Sequence, residues 1–223
     1  MRGVVFDLDG TIVDNMAVHA EAFAIFVDRH GLPPLTPADR ARLDGKRNRD
    51  IFPDLFGRSL AEDFLQACIH EKESLYRELS RGRLEPVRGL LPLLDALDAA
   101  AVPAAIATSA PAENVAHTLR ELRLGERLTH VARSDRVARG KPFPDVFLAA
   151  AELIAVAPAQ CLAFEDAPAG LLAARAAGMT CVAVTTGFSA EILATLGAAP
   201  DLAVRDYDEF LAVAREKGFR LSP

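Results

Sequence analysis

The sequence predicts an α/β protein in which a parallel sheet carries helices on both faces and a helical segment is inserted near the amino terminus. Short runs of β-branched and aromatic residues alternate with longer helical patterns along most of the chain, and long crossovers of this kind join parallel strands. The exception is residues 15–83, where helical patterns dominate and no convincing strand is found. We call this segment the cap, and we expect it to lie as a lid over a core domain formed by residues 1–14 and 84–223.

The strands are predicted from continuous apolar runs, which are typical of strands buried on both faces. The clear runs are residues 3–8, 102–108, 160–164 and 180–184, and the weaker ones are residues 129–133 and 201–204. Helices are predicted at residues 89–101, 112–122, 142–154 and 169–177 in the core, and at residues 16–30, 50–55 and 60–80 in the cap. Gly178 follows the last core helix at a position where glycine commonly ends a helix.

The composition is typical of a globular protein. Hydrophobic residues make up 51% of the 223 residues, and the formal net charge is −6. An acidic chain lacks the basic surface that nucleic acid requires, and no window approaches the roughly 20 apolar residues of a membrane helix. We therefore expect neither a nucleic-acid nor a membrane partner.

The cysteines and the first residues indicate the compartment. Cys68, Cys161 and Cys181 form no CxxC pair and are interpreted as buried thiols in a reducing environment. The first residues contain too short an apolar run, followed too soon by an acidic residue, for a signal peptide. These observations predict a cytoplasmic protein.

Two carboxylates follow the first predicted strand, in the run FDLDGT at residues 6–11. Because alternate residues of a strand face the same side, Asp7 and Asp9 are expected to converge above the edge of the sheet. Two close like charges repel, and a divalent cation is the usual remedy. Gly10 permits a sharp turn after them. An ordinary Asp-Gly turn is the alternative interpretation.

Three further sets of polar residues follow later strands. Thr108 and Ser109 could hold a phosphate oxygen just before a helix, or could serve as an ordinary helix cap. Lys141 could neutralise phosphate charge, or could be a solvated lysine. Glu165 and Asp166 are good hard-cation ligands, or could form a capping turn. Because ligands bind at the carboxyl ends of the strands in open α/β sheets, the coincidence of these sets at one edge favours a single site.

This order of motifs resembles the haloacid dehalogenase superfamily, in its phosphatase and phosphomutase branch. FDLDGTIVD is similar to the first motif of the family, IATSA to the second, GKPFPDVF to the third and FEDAPAG to the fourth. Residues 15–83 correspond to the helical cap of the family. The resemblance implies a Rossmann-like core, a mobile cap and a Mg²⁺ cofactor.

The resemblance also implies roles for individual residues. Asp7 would attack phosphorus and form an aspartyl-phosphate, and Asp9 would protonate the leaving oxygen and then deprotonate water. The metal ligands would be Asp7, the Asp9 carbonyl and Asp166, with Glu165 either ligating the ion or steering its waters. The phosphate-binding residues would be Gly10, Thr108, Ser109 and Lys141.

The cap is expected to select the leaving group. His19, Arg49 and Lys72 match positions of the β-phosphoglucomutase subgroup, and Arg47 is an alternative to Arg49 because the spacing after Gly45 differs by one residue. Each of these side chains could equally be a solvated helix residue.

The residues after the second motif separate the hypotheses for function. A mutase must hold a second phosphate, and residues 110–112 lack the polar side chains that do so in β-phosphoglucomutase, although Asn114 could substitute. We therefore favour a monomeric phosphatase of small phosphorylated, sugar phosphate-like metabolites over a β-phosphoglucomutase that interconverts β-glucose 1-phosphate and glucose 6-phosphate. Pyrophosphate and phosphoglycolate remain open as substrates. A non-catalytic phosphate-binding or receiver-like signalling protein is the alternative from another class, and the cap and the full acidic set argue against it.

Overall fold

The core is a six-stranded parallel sheet with the strand order β3-β2-β1-β4-β5-β6. The computed structural model describes residues 1–214 and Glu216. The strands are β1 (Gly3–Phe6), β2 (Ala104–Thr108), β3 (Val131–Arg133), β4 (Cys161–Glu165), β5 (Thr180–Val184) and β6 (Leu202–Val204). All six predicted strands are confirmed, and β1 lies between β2 and β4 in the middle of the sheet.

Helices cover both faces of the sheet and build the cap. The cap contains α1 (Met16–Arg29), α2 (Pro37–Leu43), α3 (Asn48–Leu55) and α4 (Glu62–Ser80). The core contains α5 (Leu90–Ala99), α6 (Ala112–Glu121), α7 (Asp145–Leu153), α8 (Pro168–Ala176), α9 (Ala190–Thr195) and α10 (Tyr207–Val213), with short 3₁₀ helices at Ser134–Arg136 and Pro158–Gln160. Within the described residues, no helix combines the length and the apolar character needed to cross a bilayer.

Several element boundaries differ from the sequence prediction by one to three residues, and two of these differences affect the site. The first strand ends at Phe6 rather than at residue 8 because the Leu8 carbonyl accepts the N–H groups of Ile12 and Val13 in a tight turn. The helix predicted from residue 142 begins at Asp145, because the Phe143 N–H donates to the Gly140 carbonyl in a preceding turn. Asp7 and Lys141 consequently lie on loops at the sheet edge.

The sheet is buried on both faces, as its continuous apolar strands predict. On one face the Phe164 ring stacks on Phe6 at 5.2 Å and packs edge-on against Tyr207 and Phe210. On the other face, the helices α7 and α8 cover small side chains of β1, β2 and β4. The rigid sheet therefore fixes the positions of the loops that follow β1, β2 and β4.

The cap has a hydrophobic core of its own. Its largest cluster joins α1, α3 and α4 through side chains such as Phe26, Phe52 and Tyr76. The two connections to the sheet run side by side, because Val13 bridges Pro86 and the Asp14 N–H donates to the Glu85 carbonyl. The division into a cap at residues 15–83 and a core remains the prediction made from the sequence.

Candidate active site

The two aspartates of the first motif reach one cavity from a tight turn beyond β1. The Asp7 N–H donates to the Phe164 carbonyl at 2.9 Å, so its backbone still follows the sheet. Gly10 has φ of +79°, which allows the chain to turn back at once. Asp7 and Asp9 both line the cavity between the sheet edge and the cap.

That cavity brings together most of the residues predicted from the sequence. Its lining includes Asp7, Asp9, His19, Lys72, Thr108, Ser109, Asn114 and Asp166. Lys141 and Glu165 lie directly behind Asp7 and are buried. Residues from four separate segments of the core thus meet one face of the cap.

Lys141 sits between two buried carboxylates. Its Nζ lies 2.5 Å from Asp7 Oδ1 and 2.5 Å from Glu165 Oε1, and it also lies over the Phe147 ring. Burial lowers the pKa of Lys141, but the charges of Asp7 and Glu165 outweigh burial and raise it. The lysine is therefore a permanent cation beside the Asp7 carboxylate.

The environment of Asp7 opposes its ionisation in the absence of a further cation. Burial, together with the charges of Glu165 and Asp9, raises the pKa of Asp7 to about 8 against the attraction of Lys141. A nucleophilic carboxylate must be ionised. One lysine does not balance this acidic set, so the site requires additional positive charge.

The buried acidic cluster fits a hard divalent cation. Carboxylate oxygens of Asp7, Glu165 and Asp166 all lie within 4.8 Å of one another. Asp166 Oδ2 is buried without a hydrogen-bond partner, and a Cβ at Gly10 would lie 2.2 Å from it. An unpartnered buried carboxylate oxygen is costly unless a ligand satisfies it, and oxygen clusters of this kind bind Mg²⁺.

Glu165 has less capacity for a metal than the other two acids. Its Oε1 accepts from Lys141, and its Oε2 accepts from the Ala167 N–H at 2.7 Å. A Cβ at Gly170 would lie 1.6 Å from Oε1, so the carboxylate is packed against α8. Of the two expected roles, direct ligation of the ion therefore fits Glu165 less well than steering the waters of the ion.

Thr108 and Ser109 form the turn between β2 and α6. The Thr108 hydroxyl accepts the Ala110 N–H at 3.0 Å, and the Ser109 hydroxyl donates to the Gly45 carbonyl of the cap at 2.8 Å. Both residues line the cavity close to Asp7. This turn therefore joins the sheet edge to the cap loop that precedes α3.

Asp9 is held by residues of the cap. Its Oδ1 accepts from Asn15 Nδ2 at 2.7 Å, and His19 Nε2 lies 3.5 Å from the same oxygen. Burial raises the pKa of Asp9, but the charge and hydrogen bond of His19 and the hydrogen bond of Asn15 outweigh burial and lower it. The His19 ring stacks on Tyr76 at 4.0 Å, which fixes its orientation.

The comparison with protein families agrees with this geometry. Residues 4–184 match the family model described as haloacid dehalogenase-like hydrolase. The chain belongs to this family. The resemblance noted in the sequence is therefore confirmed.

The relatives of this haloacid dehalogenase-like hydrolase include both phosphatases and a mutase. It is 34% identical to hexitol phosphatase A of Escherichia coli, with 82% of each chain covered. It is 33% identical to the β-phosphoglucomutase of Bacillus subtilis, with 84% of each chain covered. A crystal structure of a hydrolase from Pseudomonas syringae superposes with a TM-score of 0.87 at 27% identity, covering 97% of this chain and 99% of that one.

The two cap arginines that the sequence proposed for substrate binding, Arg49 and Arg47, lie outside the cavity lining of this hydrolase. Arg49 pairs with Glu62 at 2.5 Å, and both side chains are more than half exposed. Arg47 pairs with Asp50 at 2.8 Å, and its Nη1 lies 3.5 Å from the Ser134 carbonyl. The cavity is instead lined by Gly45 and Lys46 of the loop between α2 and α3 and by Asn48, the first residue of α3.

Sequence reasoning missed several lining residues. Glu73 is the most buried of them, and Asp44, Lys46 and Asn48 were also not predicted. Glu73 directly follows Lys72 on α4, and a neighbouring pair of opposite charges on a helix is usually a solvated feature. Lys72 was a candidate for the site, but the sequence offered no signal that the Glu73 side chain is buried beside it.

Arg47 nevertheless contacts the catalytic edge of the core. A Cβ added to Gly140 would lie 2.5 Å from Arg47 Nε and 2.7 Å from its Cγ. Gly140 precedes Lys141, so the arginine stem lies against the loop that carries the buried lysine. The close fit is possible only because residue 140 has no side chain.

We expect Gly140→Ala to reduce kcat/KM about tenfold, because the added methyl group displaces either the Arg47 stem or the loop that carries Lys141, and small misplacements near a site lower the rate. The double variant Gly140→Ala/Arg47→Ala removes the clashing stem and should recover most of the loss. Steady-state kinetics with 4-nitrophenyl phosphate would measure both. Equal losses in the single and double variants would show that the clash is not the cause.

Proposed function

We propose that this chain is a Mg²⁺-dependent phosphatase that hydrolyses small phosphorylated metabolites with sugar-like leaving groups through an aspartyl-phosphate. The observation that carries the proposal is the Asp7 carboxylate, which opens onto the shared cavity while Lys141 and the acidic cluster flank it. Relatives named as a hexitol phosphatase and a phosphoglucomutase support a sugar phosphate-like substrate.

In the first half-reaction, Asp7 attacks phosphorus in line and the leaving oxygen departs from the opposite side. Asp9 protonates that oxygen. Lys141 fixes the Asp7 side chain and offsets the charge of the transferring group. Thr108 and Ser109 hold the phosphoryl oxygens at the end of β2. Asp7, the Asp9 carbonyl and Asp166 would hold a Mg²⁺ ion, which would supply positive charge to the phosphoryl oxygens.

In the second half-reaction, water attacks the aspartyl-phosphate and Asp9 accepts its proton. Asn15 and His19 hold Asp9 in place for both proton transfers. The cap covers the cavity and limits the water that reaches the intermediate.

A β-phosphoglucomutase is the second candidate, because one relative of this kind is 33% identical. The turn after β2 favours hydrolysis, because Ala110 lines the cavity with an apolar surface. Asn114 is occupied by bonds to Glu73 and Arg77. A receiver-like or non-catalytic protein fits poorly with a cap that completes the cavity. The monomeric state and the cytoplasmic location stay predictions.

We expect Asp7→Asn to lower kcat for 4-nitrophenyl phosphate at least about a thousandfold, because the amide is a poor nucleophile. The matched control is Asp95→Asn, which changes an exposed carboxylate at the surface. Substantial residual turnover in Asp7→Asn would remove the nucleophile assignment.

Asp9→Asn keeps the backbone carbonyl but loses the proton donor. We expect single-turnover phosphorylation by a sugar phosphate to slow by about 10²–10⁴-fold. The same step with 4-nitrophenyl phosphate should slow less, because nitrophenolate leaves without a proton. Equal slowing with both substrates in rapid-quench measurements would argue against an acid role.

Mg²⁺ should raise the melting temperature of the wild-type chain, since a ligand at about 100 times its Kd stabilises the folded state by about 2.7 kcal/mol. In Asp166→Asn the shift should be much smaller, because a ligand is lost from the acidic cluster. Scanning calorimetry with and without Mg²⁺ measures this independently of activity. An undiminished shift in Asp166→Asn would place the metal elsewhere.

A further inference from the structure

We propose that Glu73 is a specificity-determining residue, which makes the cap accept an uncharged polyhydroxylated leaving group and reject one that carries a second phosphate. The inference rests on the proposed phosphatase function and deepens it, because it defines the substrates as monophosphates. It concerns the cap side of the cavity, where Lys72 and Glu73 form part of the wall.

Glu73 is a buried carboxylate held on three sides. It is 4% exposed. Its Oε1 accepts from Lys72 Nζ at 2.9 Å and from Asn48 Nδ2 at 2.7 Å, and its Oε2 accepts from Asn114 Nδ2 at 2.5 Å. Burial raises the pKa of Glu73, but the charge of Lys72 outweighs burial and lowers it. The side chain is therefore a fixed anion in the wall of the cavity.

The ammonium group of Lys72 is already occupied by other partners and is not free to bind a second phosphate. Its Nζ lies 2.9 Å from His19 Nδ1 and 2.9 Å from Glu73 Oε1, and 4.5 Å from the centre of the Phe23 ring. These three contacts match the three N–H donors of an ammonium group. Because the Glu73 charge cancels that of Lys72, the pair presents polar atoms with no net charge.

Hydroxyl groups suit this surface better than an anion does. Among the described residues, three bonds reach the Glu73 carboxylate, which offers about four lone-pair positions. An amide such as that of Asn48 or Asn114 carries two N–H donors, and each of these residues gives one to Glu73. A sugar or polyol hydroxyl both donates and accepts, so it can bond to this group, whereas a phosphate would face a buried carboxylate.

The core contributes to the same arrangement through Asn114. Its Oδ1 accepts from Arg77 Nη1 at 2.7 Å, while its Nδ2 donates to Glu73. Arg77 therefore donates to an amide oxygen of the core and does not line the cavity. The residue that could have assisted a mutase instead holds the anion that opposes a bisphosphate.

Lys46 is the lining cation that could counteract Glu73. It follows Gly45, whose carbonyl accepts the Ser109 hydroxyl at 2.8 Å. That contact places the Lys46 backbone beside the turn after β2, on the side of the transferring phosphoryl group. We therefore assign Lys46 to the first phosphate, and a comparison of mono- and bisphosphate substrates tests this assignment together with that of Glu73.

The experiment compares fructose 1-phosphate with fructose 1,6-bisphosphate in the wild type, Glu73→Gln and Glu71→Gln. Glu71 is the matched control, because it lies on the same helix α4 and pairs with Arg29 and His30 near the surface. The two variants change the net charge equally. Phosphate release and the sugar product are measured for each substrate.

We expect the wild type to favour the monophosphate in kcat/KM by at least about tenfold, since a juxtaposed like charge costs more than about 1.4 kcal/mol. Glu73→Gln should reduce this ratio about tenfold, and Glu71→Gln should leave it unchanged.

Three outcomes would overturn the inference. They are equal use of both substrates by the wild type, an unchanged ratio in Glu73→Gln, and an equal change of the ratio in Glu71→Gln. If Glu73→Gln does not fold, the ratio of kcat/KM for the two substrates in the wild type decides between the outcomes. A wild type that hydrolyses neither fructose phosphate nor 4-nitrophenyl phosphate would instead refute the proposed function itself.

Discussion

The contact on which the site depends is the ammonium group of Lys141 between the carboxylates of Asp7 and Glu165. Removing an ion from water costs several kcal/mol in real proteins, so a buried ion is stable only where its partners are complete. Here the partners come from the loop after β1, the loop before α7 and the end of β4. The sheet must therefore be assembled in register before these charges can balance, which ties catalytic geometry to folding.

The wall of the cavity that the cap provides differs from the core wall in its charges. The core side concentrates acidic groups and requires a cation, whereas on the cap side the buried Lys72 is paired with Glu73. A phosphoryl group is thus drawn to one end, and a neutral group fits at the other. Because the core side and the cap side differ in charge, a substrate can bind in one orientation only, with its phosphoryl group at the core.

The sequence predicted the core well because its signals are local. Strands buried on both faces are continuous apolar runs, and the motif residues follow directly at their ends. The helices α2, α9 and α10 were missed because they are short, although Thr36 forms a capping box and Ser189 and Asp206 cap their helices. The sequence could not show where Arg49 points or that Glu73 is buried, because both depend on how α2, α3 and α4 pack.

The neighbouring connections at Val13 and Pro86 bear on how the cap can change during evolution. Because the cap leaves and rejoins the core at neighbouring points, its two ends are close enough to be joined by a short linker. A gene could therefore lose, shorten or exchange this whole module without disturbing the sheet that holds the acidic cluster. New leaving-group preferences can then arise by recombination at a single position in space, while the phosphorus chemistry is inherited intact.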